Sequence, residues 1–102
     1  MKHKITFIIP VHNRLDYTIE CLQMLEKQRD TLFFTLNEID IIVVDDGSTD
    51  GTYEWIRNNY PEILVLCGDG NLWYSASVNM GIKHAFSRYN SDFIMIWEND
   101  TF

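Results

Sequence analysis

Cysteine and proline are scarce in this 102-residue sequence, with two of each. Cys21 and Cys67 have no short spacing, so they build neither a disulfide framework nor a metal cluster and read as reduced core residues of a cytoplasmic protein. His3, His12 and His84 share no ligand spacing with each other or with the cysteines, which counts against zinc. No run of Lys or Arg occurs, and 8 basic against 15 acidic residues give a formal net charge of −7. That balance argues against binding to a DNA or RNA backbone. A nucleotide stays open, because a metal ion and backbone amides can hold a diphosphate without a basic surface. Long apolar runs are missing too. The opening "MKHKITFIIPVHNR" returns to polar residues too soon for a signal-peptide core or a transmembrane segment. Internal repeats, low-complexity tracts and linkers are absent, and no Ser-His-Asp or Cys-His arrangement can be made out. What is present, 46% hydrophobic and 23% charged residues, suits a single small domain over residues 1–102 with one core.

Strand and helix patterns alternate. Residues 5–10, "ITFIIP", form a short strand run closed by Pro10. Leu15, Ile19, Leu22 and Leu25 recur at helical spacing over residues 14–29. "IDIIVV", residues 39–44, is apolar and β-branched, as expected of a strand covered on both faces. The turn signal "DDGSTDG" follows, and Asp50 or Ser48 is placed to cap a helix over residues 52–59. "EILVLC", residues 62–67, is a third strand and "GDGN" a loop. Val78, Ile82, Ala85, Phe86 and Tyr89 share a face of a helix over residues 75–89. "DFIMIW", residues 92–97, is a fourth strand leading into "ENDTF". Three strand–helix units closed by a fourth strand predict an α/β domain, three-layer α/β/α, with a mainly parallel sheet. Ligands of such sheets sit beyond the carboxyl ends of the strands. Every unusual polar cluster here falls at such an end: "PVHN", "DDGS", "GDGN" and "END".

Each cluster has a ligand reading and a plainer one. Of the adjacent carboxylates Asp45 and Asp46, one could accept hydrogen bonds from a ligand N–H while the other braces the loop. A turn-forming, helix-capping cluster is an equal reading of the same residues. "DGSTDG" imitates the start of a calcium loop, but Arg57 stands where the bidentate Glu is required, so that reading fails. "GDGN" begins like a dinucleotide fingerprint, yet Trp73 replaces the third glycine. Hard cations such as Mg²⁺ or Mn²⁺ favour carboxylates plus substrate phosphates, which makes Asp100 the prime metal candidate and Glu98 a second. His12 either stacks on a ligand base or braces its loop. Trp73 and Tyr74 either pack onto the sheet or stack on a ligand.

"FIIPVHNR", "IIVVDDGSTDGT", "GNLWYSASVNMGI" and "DFIMIWENDTF" resemble, in order and spacing, the successive blocks of family-2 glycosyltransferases, over nearly the whole chain. The resemblance implies the GT-A fold, broken off just after a D-x-D-like motif. It also implies an inverting transferase that takes a UDP-, dTDP- or GDP-sugar with Mg²⁺ or Mn²⁺ and glycosylates an acceptor such as a cell-surface polysaccharide. Pro10, Val11, His12 and Asn13 would line the base and ribose pocket, largely through backbone contacts. Asp46 would bond the pyrimidine imide N–H with Asp45 supporting it. Gly70 and Asn71 would border the nucleotide, with Asn79 and Gly81 near the donor. "END" would stand for D-x-D, with Asp100 on the metal and Asn99 facing the ribose or sugar.

The chain departs from the family at Val78, where an arginine is common, and at Asn99, where one acidic residue often stands. The resemblance puts the general base and the acceptor site beyond the D-x-D motif, so none is assigned and the chain is expected to be a donor-binding portion, inactive alone. Association with the inner membrane face would belong to a longer protein, and exposed sheet surface could pair with itself in an oligomer. The competing reading is a non-catalytic nucleotide-binding or receiver-like interaction module. A receiver, however, carries its acidic pair after the first strand.

Overall fold

A strand covered on both faces needs apolar residues at successive positions rather than alternate ones. Residues 5–9 meet that demand, since Ile5, Phe7, Ile8, Ile9 and the polar Thr6 are all buried. In the computed structural model, which describes residues 2–97, they form the centre of strand β1 (Lys4–Val11). Helices α1 (Leu15–Lys27) and α2 (Leu32–Leu36) follow, then β2 (Glu38–Asp46), α3 (Thr52–Asn59), β3 (Leu64–Gly68), α4 (Trp73–Tyr89) and β4 (Phe93–Ile96).

The strands make one sheet in the order β3-β2-β1-β4, and every pairing is parallel. That order is the one in which the first strand is flanked by the second and the fourth, as in doubly wound dinucleotide-binding sheets. A receiver places its strands 2-1-3-4-5. The direction of winding reverses between β1 and β4, so the ligand crevice of such a sheet lies beyond the carboxyl end of β1.

Side-chain alternation divides the core in two. Ile9, Val11 and Val43 point to one face and pack with Cys21, Leu22 and Leu25 of α1 and Ile56 of α3. Ile8, Ile42 and Val44 point to the other face and meet Ala85 of α4. These are the three layers expected from the sequence. α4 contacts the sheet along a line of small residues, Ser77, Gly81 and Ala85, all buried. A Cβ on Gly81 would come within 2.6 Å of Ile8 Cγ2, so the absence of a side chain sets how closely α4 approaches β1. Beyond the helix, the Ser91 and Thr6 hydroxyls share a hydrogen bond, which satisfies two buried polar groups.

The structure departs from the sequence expectations at four points. Phe86, placed on the inner face of the third predicted helix, is exposed, because the small line at 77, 81 and 85 is what meets the sheet. Cys67 is exposed at the end of β3 rather than in the core, while Cys21 is buried, and both thiols are free. α2 has no counterpart in the sequence reading, since five residues are too few to display a helical period. β2 also runs further than "IDIIVV", carrying Asp45 and Asp46 inside the strand with Asp45 paired in register with Val11.

Candidate functional site at the carboxyl edge of the sheet

Because the strands are parallel, the segments after β1, β2 and β3 emerge on one edge. Alternation along β2 sends Asp45 toward the α1–α3 layer and Asp46 toward α4, so the adjacent carboxylates serve different loops. Asp45 is buried, and its Oδ1 accepts the Ser48 amide at 3.1 Å, which shapes the turn after β2.

Asp46 is 6% exposed. Its Oδ1 accepts the amides of Gly70 at 2.8 Å and Leu72 at 3.2 Å, and its Oδ2 accepts those of Leu72 at 3.0 Å and Trp73 at 3.1 Å. Burial alone would raise its pKa. The Leu72, Trp73 and Gly70 amides, with the His12 charge, outweigh burial and hold the carboxyl below the usual carboxylate range. One side chain thus gathers the segment 70–73 against the end of β2. Gly47 lets the two loops close up, because at φ 70° a Cβ there would lie 2.6 Å from the Gly70 nitrogen.

The loops after β1 and β2 are laced as tightly. His12 Nδ1 donates to the Asp46 carbonyl at 2.6 Å; with that proton on Nδ1, the ring braces the two strand ends. The Asn13 amide donates to Ser48 Oγ at 2.7 Å, and Asn13 Oδ1 accepts the Thr49 amide at 2.8 Å. Asp50 joins two helix starts. Its Oδ2 accepts the Leu15 amide at 3.0 Å, and its Oδ1 accepts the Thr52 amide and hydroxyl. Burial raises the Asp50 pKa, but the Thr52 hydroxyl and amide and the Leu15 amide lower it further than burial lifts it. Asn13 and Arg14 both lie in the left-handed region, at φ 57° and 60°, which turns the chain sharply from β1 into α1.

These loops enclose a cavity of about 380 Å³ lined by Pro10, Val11, His12, Asp46, Gly70, Trp73, Tyr74 and Ser77. It falls in the size range of small-ligand sites. Five residues expected at a nucleotide site line it: Pro10, Val11, His12, Asp46 and Gly70. Asn13 and Asp45 stand behind the wall as loop braces. Asn71 is exposed, its amide donating to Asp69 Oδ1, and Asn79 is exposed on α4. Ser77 gave no signal in the sequence beyond its place on the small-residue line of α4. Glu98, Asn99 and Asp100, the expected metal and sugar residues, lie outside the described residues. Among the described residues no group of three His, Cys, Asp or Glu could hold a metal ion. Both Asp46 oxygens accept backbone amides.

Residues 6–102 match the sequence profile of glycosyl transferase family 2. The chain is 35% identical over 103 residues to an abequosyltransferase of Salmonella typhimurium, covering 94% of this chain and 28% of that protein. It is 32% identical over 94 residues to the glycosyltransferase GlyG of Streptococcus pneumoniae, covering 87% of this chain and 29% of the relative. The chain therefore spans less than a third of the length of these relatives. Among solved structures, a mannosyltransferase from Pyrobaculum calidifontis, in complex with GDP-mannose and Mn²⁺, superposes with a TM-score of 0.67 at 22% identity. The superposition covers 83% of this chain and 25% of that one. The fold is of the GT-A type.

Proposed function

The chain belongs to glycosyl transferase family 2, and on that footing we propose that its carboxyl-edge pocket binds the nucleotide of a nucleoside-diphosphate sugar. The observation that carries the proposal is the convergence of Pro10, Val11, His12, Asp46 and Gly70 on one cavity at the carboxyl edge of the sheet. The pocket is preformed by hydrogen bonds among its own loops, so little ordering cost falls on ligand binding.

In this reading Pro10, Val11 and His12 bound the base and ribose, Asp46 accepts the base N–H, and Gly70 admits the ligand close to the backbone. Since Asp46 already accepts three amides, a base N–H would share its oxygens with the segment 70–73 or displace one of those donors. Asn13 and Asp45 act through the loops they brace, while Asn71 and Asn79 flank the site. A divalent cation, Mg²⁺ or Mn²⁺, would be held at Asp100, with Glu98 as the second candidate and Asn99 toward the sugar. When bound, such an ion neutralises charge on the departing nucleoside diphosphate. The transfer would invert the anomeric carbon and deliver the sugar to an acceptor such as a cell-surface polysaccharide, with the donor taken up in the cytoplasm. No helix among the described residues is long and apolar enough to cross a membrane.

Calorimetric titration with UDP, dTDP and GDP, with and without Mn²⁺, tests this reading. Binding that strengthens with Mn²⁺ and loses that gain in Asp100→Ala is expected. Failure of all three nucleotides to bind the folded wild-type chain would refute the proposal.

A further inference from the structure

Trp73 combines three properties that packing does not explain. Its indole is 76% exposed, more than any other large hydrophobic side chain among the described residues. Its backbone lies at φ 62°, in the left-handed region that a bulky residue rarely occupies. It nevertheless lines the cavity, together with Tyr74, Pro10 and Val11. The conformation is held from outside the helix, because Asp46 Oδ2 accepts the Trp73 amide at 3.1 Å and both Asp46 oxygens accept the Leu72 amide. A buried carboxylate thus fixes a strained backbone, and the outcome is an aromatic face left in water at a pocket. Strain of this kind persists where the surrounding structure over-determines it, and it gathers at ligand sites. Leaving so much apolar surface in water is unfavourable for the empty protein. A flat aromatic ligand would relieve that exposure by stacking on the indole.

We propose that Trp73 is the base-stacking residue of the site, with its indole covering the nucleobase of the bound donor. This rests on the nucleotide reading above and adds the residue that recognises the ring. Stacking is tolerant of base identity, so Trp73 contributes affinity to UDP, dTDP and GDP alike, while any selection among them belongs to the polar groups.

The test uses two variants at Trp73 and, for fluorescence, one at Trp55, all in the full chain. Trp73→Asn removes the ring with a residue that accepts the left-handed backbone, and Trp73→Phe keeps a ring. Kd values for UDP, dTDP and GDP are measured calorimetrically in Mn²⁺, alongside thermal midpoints and tryptophan fluorescence. We expect Trp73→Asn to weaken all three nucleoside diphosphates by about ten-fold or more, with Trp73→Phe retaining most of the affinity. Trp73→Phe should melt as the wild type does, because the indole is exposed, and Trp73→Asn should melt no lower, because asparagine accepts the left-handed backbone. Nucleotide should quench the fluorescence of wild type and of Trp55→Phe but not that of Trp73→Asn. Wild-type affinity in Trp73→Asn overturns the inference and leaves the nucleotide reading standing. So does a loss confined to nucleotide sugars and absent from the free diphosphates, which would move the indole onto the sugar. Absence of any nucleotide binding by the wild type removes the reading and the inference together.

Discussion

Replacing Asp46 by alanine removes the acceptor that holds the segment 70–73, and the structure allows its cost to be worked out. Three amides, those of Gly70, Leu72 and Trp73, lose a carboxylate partner. A hydrogen bond to a charged group contributes about 1.5–3 kcal/mol when the abandoned donor stays buried. Here the freed amides lie in a part-exposed segment that water can reach, so about 1 kcal/mol each, or about 3 kcal/mol in all, is the appropriate scale. For a domain of this size, 1 kcal/mol moves the melting midpoint by about 4–8 °C, which predicts a fall of about 12–24 °C in Asp46→Ala at pH 7.

The pH dependence has a definite sign. The folded pKa of Asp46 lies below its usual value, so its stabilisation is complete above the unfolded carboxyl pKa of about 3.9 and is lost as pH falls through the folded one. Wild type and Asp46→Ala should therefore converge in acid. The assay is thermal denaturation by circular dichroism from pH 7 downward, with hydrogen exchange at the three amides. A variant melting within about 2 °C of wild type at pH 7, with the Gly70, Leu72 and Trp73 amides exchanging at wild-type rates, would refute the reasoning.

Gly81→Ala gains about 1 kcal/mol of helix propensity but drives a methyl into Ile8. Overpacking of that kind costs about 1–3 kcal/mol, so a net loss is expected in urea denaturation. Asp40 shows the opposite titration to Asp46: burial first, then the Glu38 charge, raise its pKa, with Lys4 pulling it down. Ionised Asp40 therefore weakens the fold above its folded pKa. Asp40→Asn should stabilise the chain by about 0.5 kcal/mol at pH 7, with the gain vanishing as wild-type Asp40 protonates in acid. A lower midpoint for Asp40→Asn at pH 7 would contradict this.

How far the sequence discloses the site can be argued from Asp45, Asp46 and Trp73. Successive side chains of a strand point to opposite faces. Once β2 is taken to continue past Val44, the two carboxylates must part company, with Asp46 on the α4 side and Asp45 on the other. The alternation is local, so it can be read before any coordinates. The partners of Asp46 are not local. They lie 24 to 27 residues on, and they reach it because Gly47 permits the loop after β3 to close against the loop after β2. Nothing within either loop announces that approach.

The same gap explains the start of α4. Pattern alone places the helix from residue 75. It begins at Trp73, in a backbone conformation that local propensity disfavours and a distant carboxylate enforces. Asn13 follows this rule as well: its turn-forming habit is legible, while its bond to the Thr49 amide depends on the parallel register of β1 with β2. Hydrophobic pattern therefore fixes which loops share an edge, since topology follows from alternation and helical period. What those loops do to one another is decided by contacts across the edge, and there the chain departs furthest from its local preferences. By that reasoning the residue most at odds with its own propensity, Trp73, is the one whose placement is best explained by the ligand it would meet.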